Sequence, residues 1–264
     1  MLRIGINGAG GRMGRRLVAL VSESSDMSVV AALECDDNDL LGRDAGEAAG
    51  IGTIGVPVTT EIDAPPDVLI DFSSPGSTVA RARECAKAEI ALVVGTTGLD
   101  AGQVSALEAA ARTVACVYAP NMSVGVNVLA KLVKLAAQTL GPDFDVEIIE
   151  AHHRFKKDAP SGTALKLARA AAEGLGRELD EAAVYGRHGI VGERTAQEIG
   201  VHAVRAGDIV GEHTVLFGAL GEHVELKHSA HSRDTFARGA LRAAQFVADK
   251  KPGMYTMEDV LGIS

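Results

Sequence analysis

The chain has 264 residues, 47% of them apolar and none of them Trp, which is enough for one large or two modest domains with a real core. A formal net charge of −9 argues against nucleic acid as the main partner, and no apolar run reaches the length of a membrane span. The three cysteines (Cys35, Cys85, Cys116) are odd in number and widely spaced, so no disulfide framework is expected and a reduced, cytoplasmic protein is.

Residues 2–7 read as a short apolar strand, not as a signal peptide. Gly8-Ala-Gly-Gly-Arg-Met-Gly14 follows, then a helix with Leu17, Val18 and Val21 on its apolar side. A second strand covers 27–33 and ends at Glu34. Strand, glycine turn, helix, strand and acid stand at roughly the spacing of a dinucleotide-binding unit. In such a unit the glycines admit a pyrophosphate, the helix start binds it, and the acid accepts from a ribose hydroxyl. The Gly-x-Gly-x-x-Gly pattern is imperfect: Met13 occupies the place of the third glycine, and Gly14 comes one residue late. Alone, such a turn is equally that of any strand-to-helix connection.

Three more apolar strands end in small polar turns. Residues 68–72 run into Ser73-Ser-Pro-Gly76, 91–94 into Gly95-Thr-Thr-Gly98, and 114–118 into Ala119-Pro-Asn-Met122, with helices around 77–88 and 101–111 between them. Continuous apolar strands alternating with helices imply a parallel sheet covered on both faces, an α/β Rossmann-type domain. Ligands of such sheets lie beyond the carboxyl ends of the strands. Gly95, Thr96 and Thr97, and Ala119, Pro120, Asn121 and Met122, should therefore line the cofactor crevice, although each turn alone is as readily an ordinary βα connection.

From Ser123 the character changes. Residues 124–140 form a long apolar helix, and Asp145 to Ile149 a strand. The stretch Glu150-Ala-His-His-Arg-Phe-Lys-Lys-Asp-Ala-Pro-Ser-Gly-Thr-Ala164 then leads into an Ala- and Leu-rich helix to Leu175. Ser161 is its expected N-cap, with Gly162 and Thr163 in the first turn. A helix start suits a carboxylate, and His152, His153, Arg154, Lys156 and Lys157 add donors and proton-transfer groups. A basic loop is ordinarily only a solvated loop. Acid–base groups meeting a helix start point instead to a site for a small anion that also needs a proton. Adjacent histidines on a strand face opposite ways and no Cys lies nearby, so no metal site is expected.

Residues 174–196 read as loop with some helix. Strands follow over 199–205, 212–220 and 222–228, giving a second, α+β domain on a largely antiparallel or mixed sheet. The segment Thr214-Val-Leu-Phe217 is apolar on both sides of the alternation. Both of its faces should be covered, by a second internal layer or by contact with another copy. A helix over 235–250 and a capping box at Thr256-Met-Glu-Asp259, opening a short helix, close the chain.

These motifs resemble those of the 4-hydroxy-tetrahydrodipicolinate reductase family, also called dihydrodipicolinate reductases, of the diaminopimelate and lysine pathway. The residues that carry the resemblance are Gly8 to Gly14, Gly95 to Gly98, Asn121-Met-Ser-Val-Gly-Val-Asn127, Glu150 to Ala164, and Arg205-Ala-Gly-Asp-Ile-Val-Gly-Glu-His213. The resemblance spans essentially the whole chain. It implies a dinucleotide-binding domain over 1–122, completed by 233–264, and a substrate-binding domain over 123–232 that assembles a homotetramer through its sheet. It implies that Gly8, Ala9, Gly10, Gly11, Arg12, Met13, Glu34, Gly95, Thr96, Thr97, Ala119, Pro120, Asn121 and Met122 contact NADH or NADPH. By the same matching, His152 is a proton donor and acceptor and Lys156 a proton donor. His153, Ser161, Gly162 and Thr163 would hold a small cyclic dicarboxylate substrate.

Glu34 is followed by Cys35, Asp36, Asp37 and Asn38, with no cation until Arg43. That order favours NADH over NADPH, although Arg12 is within reach of a 2′-phosphate and both cofactors are expected to serve. Two other readings stand beside this one. Another small-substrate dehydrogenase of the same domain order would lack the His-His to Ser-Gly-Thr stretch. A non-catalytic nucleotide-sensing protein would keep the glycine turn and have no need of Lys156.

Overall fold

The apolar strands foreseen from the sequence are present in a computed structural model that describes residues 1–263. In chain order the elements are β1 (Leu2–Asn7), α1 (Arg12–Ser22), β2 (Met27–Leu33), α2 (Ala45–Ala49), β3 (Val58–Thr59), β4 (Val68–Asp71), α3 (Pro75–Ala88), β5 (Ala91–Val94), α4 (Ala101–Ala110), β6 (Ala115–Tyr118) and α5 (Val124–Leu140). Then come β7 (Asp145–His152), α6 (Gly162–Leu175), α7 (Leu179–Ala182), β8 (Ala183–Tyr185), β9 (Ile199–Arg205), β10 (Gly211–Ala219), β11 (Glu222–Ala230), α8 (Asp234–Val247), β12 (Gly253–Tyr255) and α9 (Met257–Leu261). The chain divides into two compact units: Met1–Val124 with the chain from Asp234 on, and Gly125–Arg233.

The first unit is built on a seven-stranded parallel sheet in the order β12-β6-β5-β4-β1-β2-β3. The order reverses between β1 and β4, the place where Rossmann-type sheets bind nucleotides. All four residues of β4 are buried, because helices cover both faces. One face packs Ile4, Ile6, Ile70 and Val93 against α1 and against Ala237, Ala240, Ala243 and Ala244 of α8. The other packs Leu69, Leu92, Val94 and Cys116 with Ala82 and Cys85 of α3 and Leu107 of α4. Fully burying one such aliphatic side chain stabilises the fold by roughly 1.5–3 kcal/mol.

The second unit has a five-stranded mixed sheet, β11-β10-β7-β9-β8. The β11–β10 and β10–β7 pairs are antiparallel, and β7–β9 and β9–β8 are parallel. Val146, Ile148, Val215 and Phe217 point from one face into a core with Leu129 and Val133 of α5 and Leu167, Ala168 and Ala171 of α6.

One expectation needs correction and another is narrowed. The strand expected over 145–149 continues to His152, because β9 and β10 pair with it along its whole length. The second internal layer over 214–217 is absent: Val215 and Phe217 are buried, but Thr214 and Leu216 on the other face are only half-buried, which leaves contact with another copy as the way to cover that face. On that same open face Ile149 and Val204 are exposed.

Candidate functional site

The first unit holds the expected cofactor residues at the carboxyl ends of its strands. Gly8 follows β1 with φ of +79°, a left-handed conformation that glycine adopts without strain. Its amide donates to Leu33 O at 2.9 Å, which ties the turn to β2. Gly14, one residue late by the sequence pattern, does the work of the third glycine: a Cβ there would stand 2.0 Å from Gly8 O and 2.6 Å from Ala9 Cα, so α1 could not lie against the turn. Helix α1 starts at Arg12 with Gly11 as N-cap and no side-chain cap. Its first amides are therefore left to an anion. Glu34 follows β2 and accepts from Gly10 N at 2.7 Å, which holds the carboxylate at the turn. Arg12 and Gly11 are exposed, Ala9 is buried, and Met13 and Gly10 are half-buried. An uncapped helix start behind a glycine turn with an adjacent carboxylate fits a nicotinamide dinucleotide.

The turn at Gly95 to Thr97 is tied to the one after β4 by a polar cluster that the sequence does not display. Asn7 Nδ2 donates to Asp71 Oδ1 (2.9 Å), Ser73 Oγ (3.0 Å) and Ser77 Oγ (3.0 Å), and Ser73 N donates to Thr96 Oγ1 at 3.0 Å. Asp71 is 1% exposed, and burial raises its pKa. The available signal was a polar residue, Asn7 or Asp71, closing each of the two strands at the switch point. Gly95 lies against the Phe72 ring, Thr97 and Pro120 are exposed, and Ala119 is buried. Asn121 Oδ1 accepts from Ser123 N at 2.9 Å. Met122 is 1% exposed and packs into the core, so its side chain belongs to the fold and not to an open pocket.

The second unit gathers the acid–base residues. Along β7 the buried face carries Val146, Ile148, Glu150 and His152 in turn, so period-two alternation brings a carboxylate and an imidazole out of an apolar surface. Glu150 is fully buried. Arg205, beside His152 in the β7–β9 register, clamps it with Nη1 to Oε2 at 2.7 Å and Nη2 to Oε1 at 2.8 Å. His152 Nδ1 lies 2.6 Å from Glu150 Oε2, and Ser161 N donates to Oε1 at 3.0 Å. Burial raises the Glu150 pKa, but the bonds from Arg205, His152 and Ser161 outweigh it and hold the carboxylate below its usual range. Burial lowers the pKa of His152; Glu150 opposes that shift, and Lys156 and Arg205 reinforce it.

Ser161 is the N-cap of α6, its Oγ accepting from Ala164 N at 3.1 Å and lying 3.2 Å from His213 Nε2. Gly162 is exposed, and a Cβ there would meet nothing within 4 Å. Thr163 is half-buried in the first turn. Lys156 Nζ pairs with Asp158 Oδ2 at 2.9 Å. His153 is half-buried, and its Nδ1 has no hydrogen-bond partner. His213 closes the 205–213 motif, where nothing local signals a role; it faces Glu150 across the β7–β10 ladder, and its ring sits edge-on to His152 at 5.1 Å. Arg205 likewise shows no role locally, because its partnership with Glu150 depends on strand register over 55 residues.

Residues 2–122 match the family described as "Dihydrodipicolinate reductase, N-terminus", and 125–261 match "Dihydrodipicolinate reductase, C-terminus". The chain is 53% identical over 264 residues to a 4-hydroxy-tetrahydrodipicolinate reductase of Alkalilimnicola ehrlichii, and 51% identical over 265 residues to one of Syntrophus aciditrophicus; each match covers 99% of both chains. A dipicolinate-bound dihydrodipicolinate reductase from Paenisporosarcina sp. TG-14 is similar in structure with a TM-score of 0.76, at 28% identity and 97% coverage of both chains. An amine dehydrogenase from Mycobacterium smegmatis shares the fold alone, with a TM-score of 0.59 at 13% identity over 97% of this chain and 95% of that one. Two matched halves, full-length identity above one half and a common fold agree with the motifs: the chain belongs to the dihydrodipicolinate reductase family.

Proposed function

We propose that the chain reduces 4-hydroxy-tetrahydrodipicolinate, by way of dihydrodipicolinate, to tetrahydrodipicolinate in lysine and diaminopimelate biosynthesis, using NADH or NADPH and favouring NADH. The observation that carries the reading is the β7–α6 junction. There an imidazole paired with a buried carboxylate and a lysine ammonium share a short segment with an accessible helix start.

A bound reduced nicotinamide supplies the hydride. Gly8 to Met13 and Glu34 hold the pyrophosphate and ribose ends, and the turns at Gly95 to Thr97 and Ala119 to Met122 border the rest. The start of α6, through Ser161, Gly162 and Thr163, takes a substrate carboxylate with help from His153. Reducing a conjugated imine leaves the neighbouring carbon in need of a proton, which Lys156 or His152 delivers. Dipicolinate, a planar cyclic dicarboxylate, is named as bound in the Paenisporosarcina relative, and a ligand of that kind suits this arrangement. Assembly as a homotetramer would bury the open sheet face carrying Ile149, Val204 and Leu216. Sedimentation of Val204→Asp as a smaller species than the wild type tests it.

The direct test is NADH oxidation with freshly made substrate. Substrate-dependent turnover is expected. A protein that binds NADH and oxidises none of it in the presence of substrate would overturn the reading.

A further inference from the structure

We propose that Glu150, clamped by Arg205, is a positioning residue that presents Nε2 of His152 for proton transfer and ties that histidine to the start of α6. The inference rests on the reading of His152 as the acid–base group. Glu150 has no exposed surface and lies in line with Val146 and Ile148 on the apolar face of β7. A buried ion pair is often no more stable than aliphatic residues of the same volume, so stability alone does not explain a carboxylate here.

The contacts give it a task. Both carboxylate oxygens are engaged: Oε2 by Arg205 Nη1 and His152 Nδ1, Oε1 by Arg205 Nη2 and Ser161 N. An ionised acceptor 2.6 Å from Nδ1 requires the proton there, so Nε2 is the nitrogen that exchanges protons. Nε2 is also the ring nitrogen beside Gly211, where a Cβ would stand 3.1 Å away. Through Ser161 N the same carboxylate fixes the N-cap of α6, the element proposed to receive a substrate carboxylate. Arg205 extends the device, since its Nη2 also donates to Asp158 O at 2.6 Å, in the loop where Lys156 pairs with the Asp158 side chain.

The groups facing His152 are Glu150 on its own strand, Arg205 on β9, Lys156 in the loop and His213 on β10, with His228 on β11 behind His213. Burial pushes His213 down to about 4, so it carries no charge near neutral pH. Glu150 is then the anion in this set, and it opposes the effects of burial and of the two cations on His152.

The test compares wild type, Glu150→Gln and Arg205→Lys. Glu150→Gln keeps the shape but loses the charge and turns one of the two acceptor oxygens into an NH2 donor. Its kcat should fall about 10²–10⁴-fold, as when an orienting carboxylate is neutralised in a catalytic triad. The limb of the pH profile belonging to His152 should move to lower pH by about one unit, since a charge-assisted bond to the cationic form is gone. NADH affinity should hold. Arg205→Lys, which keeps a cation but loses the bidentate clamp, should shift both readouts in the same direction by less. A purely structural Glu150 would lower the melting temperature and leave the limb in place; that outcome, or unchanged kcat in Glu150→Gln, overturns the proposal. If Glu150→Gln does not fold, the imidazole ¹⁵N spectrum of wild type decides: His152 protonated at Nδ1 is expected, and protonation at Nε2 with Nδ1 bare overturns it. That spectrum needs no turnover, so wild type inactive on the substrate would defeat the functional reading separately.

Discussion

Glu34 Oε1 accepts the amide hydrogen of Gly10 at 2.7 Å, so the acid that ends β2 is fastened to the glycine turn. Its other oxygen, Oε2, faces Cys35, whose amide lies 3.3 Å away. Cys35 is exposed, and its thiol pKa is raised, first by a hydrogen bond to Asp37 and further by the charges of Asp37 and Glu34. A 2′-phosphate brought here would meet negative charge with no cation in the loop before Arg43. The expected outcome is use of both cofactors with NADH ahead. Cys35→Arg should shift kcat/KM toward NADPH by roughly tenfold, because a charge-assisted contact is worth about 1.5–3 kcal/mol before screening. Kinetics with each cofactor at saturating substrate would check it. A wild type that strongly prefers NADPH would hand the choice to Arg12.

Lys156→Ala and His152→Ala should each lower turnover by about 10²–10⁴-fold, the usual range for a lost acid–base group. Fluorescence titration of NADH should give wild-type affinity for both variants, since both residues lie in the second unit and Glu34 and the glycine turn in the first. Either variant turning over at the wild-type rate would remove that residue from the proton path.

Long apolar strands and capped helices were readable because each announces itself within one short window. β4 is apolar up to its closing Asp71, α5 runs over the 124–140 foreseen, and Thr256 and Asp259 form the expected capping box. The elements not foreseen are β3, β8 and β12, of two or three residues each, and the five-residue α2. Such elements are too short to show a period; the register of a neighbouring strand creates the three strands, and α2 is a single capped turn between Asp44 and Gly50. The site divides the same way. Ser161 as N-cap is a local fact and was visible. The burial of Glu150 could have been read from the Val146, Ile148, Glu150, His152 alternation once the strand was allowed to run on. Its clamp by Arg205, and the Asn7–Asp71 bond in the first unit, depend on pairing between distant strands, which one sequence does not display.

His213 gives the second unit a sensitivity to acid. Burial pushes it down to about 4, against about 6.5 in an unfolded chain. As pH falls through that window the unfolded chain takes up a proton that the folded one refuses, so stability is intact above the unfolded value and is lost progressively below it. The full shift corresponds to about 3 kcal/mol, from about 1.4 kcal/mol per pH unit. Burial lowers His152 and His228 too, which adds in the same direction. His213→Gln should therefore flatten the fall in unfolding free energy between about pH 6.5 and about pH 4, as measured by urea titration. An unchanged slope would mean that His213 titrates normally in the folded protein.

Gly162 separates binding from folding in the α6 start. Its φ is not in the left-handed region, it is exposed, and a Cβ there would meet nothing within 4 Å. Valine is a better helix former than glycine by a few tenths of a kcal/mol, so the fold of Gly162→Val should survive with a nearly unchanged melting temperature. A substrate carboxylate seated on the α6 amides would, however, collide with the added methyl groups. KM should then rise at least about tenfold, matching the loss of one charge-assisted contact, with a smaller change in kcat and no change in NADH affinity. Inhibition by dipicolinate should weaken by a similar factor, because it presents the same carboxylates to the same amides. Steady-state kinetics with and without dipicolinate, beside a melting curve, provide the measurement. A stable variant with wild-type KM would show that the carboxylate is held elsewhere, by His153 and the loop cations, and that Gly162 serves only the turn.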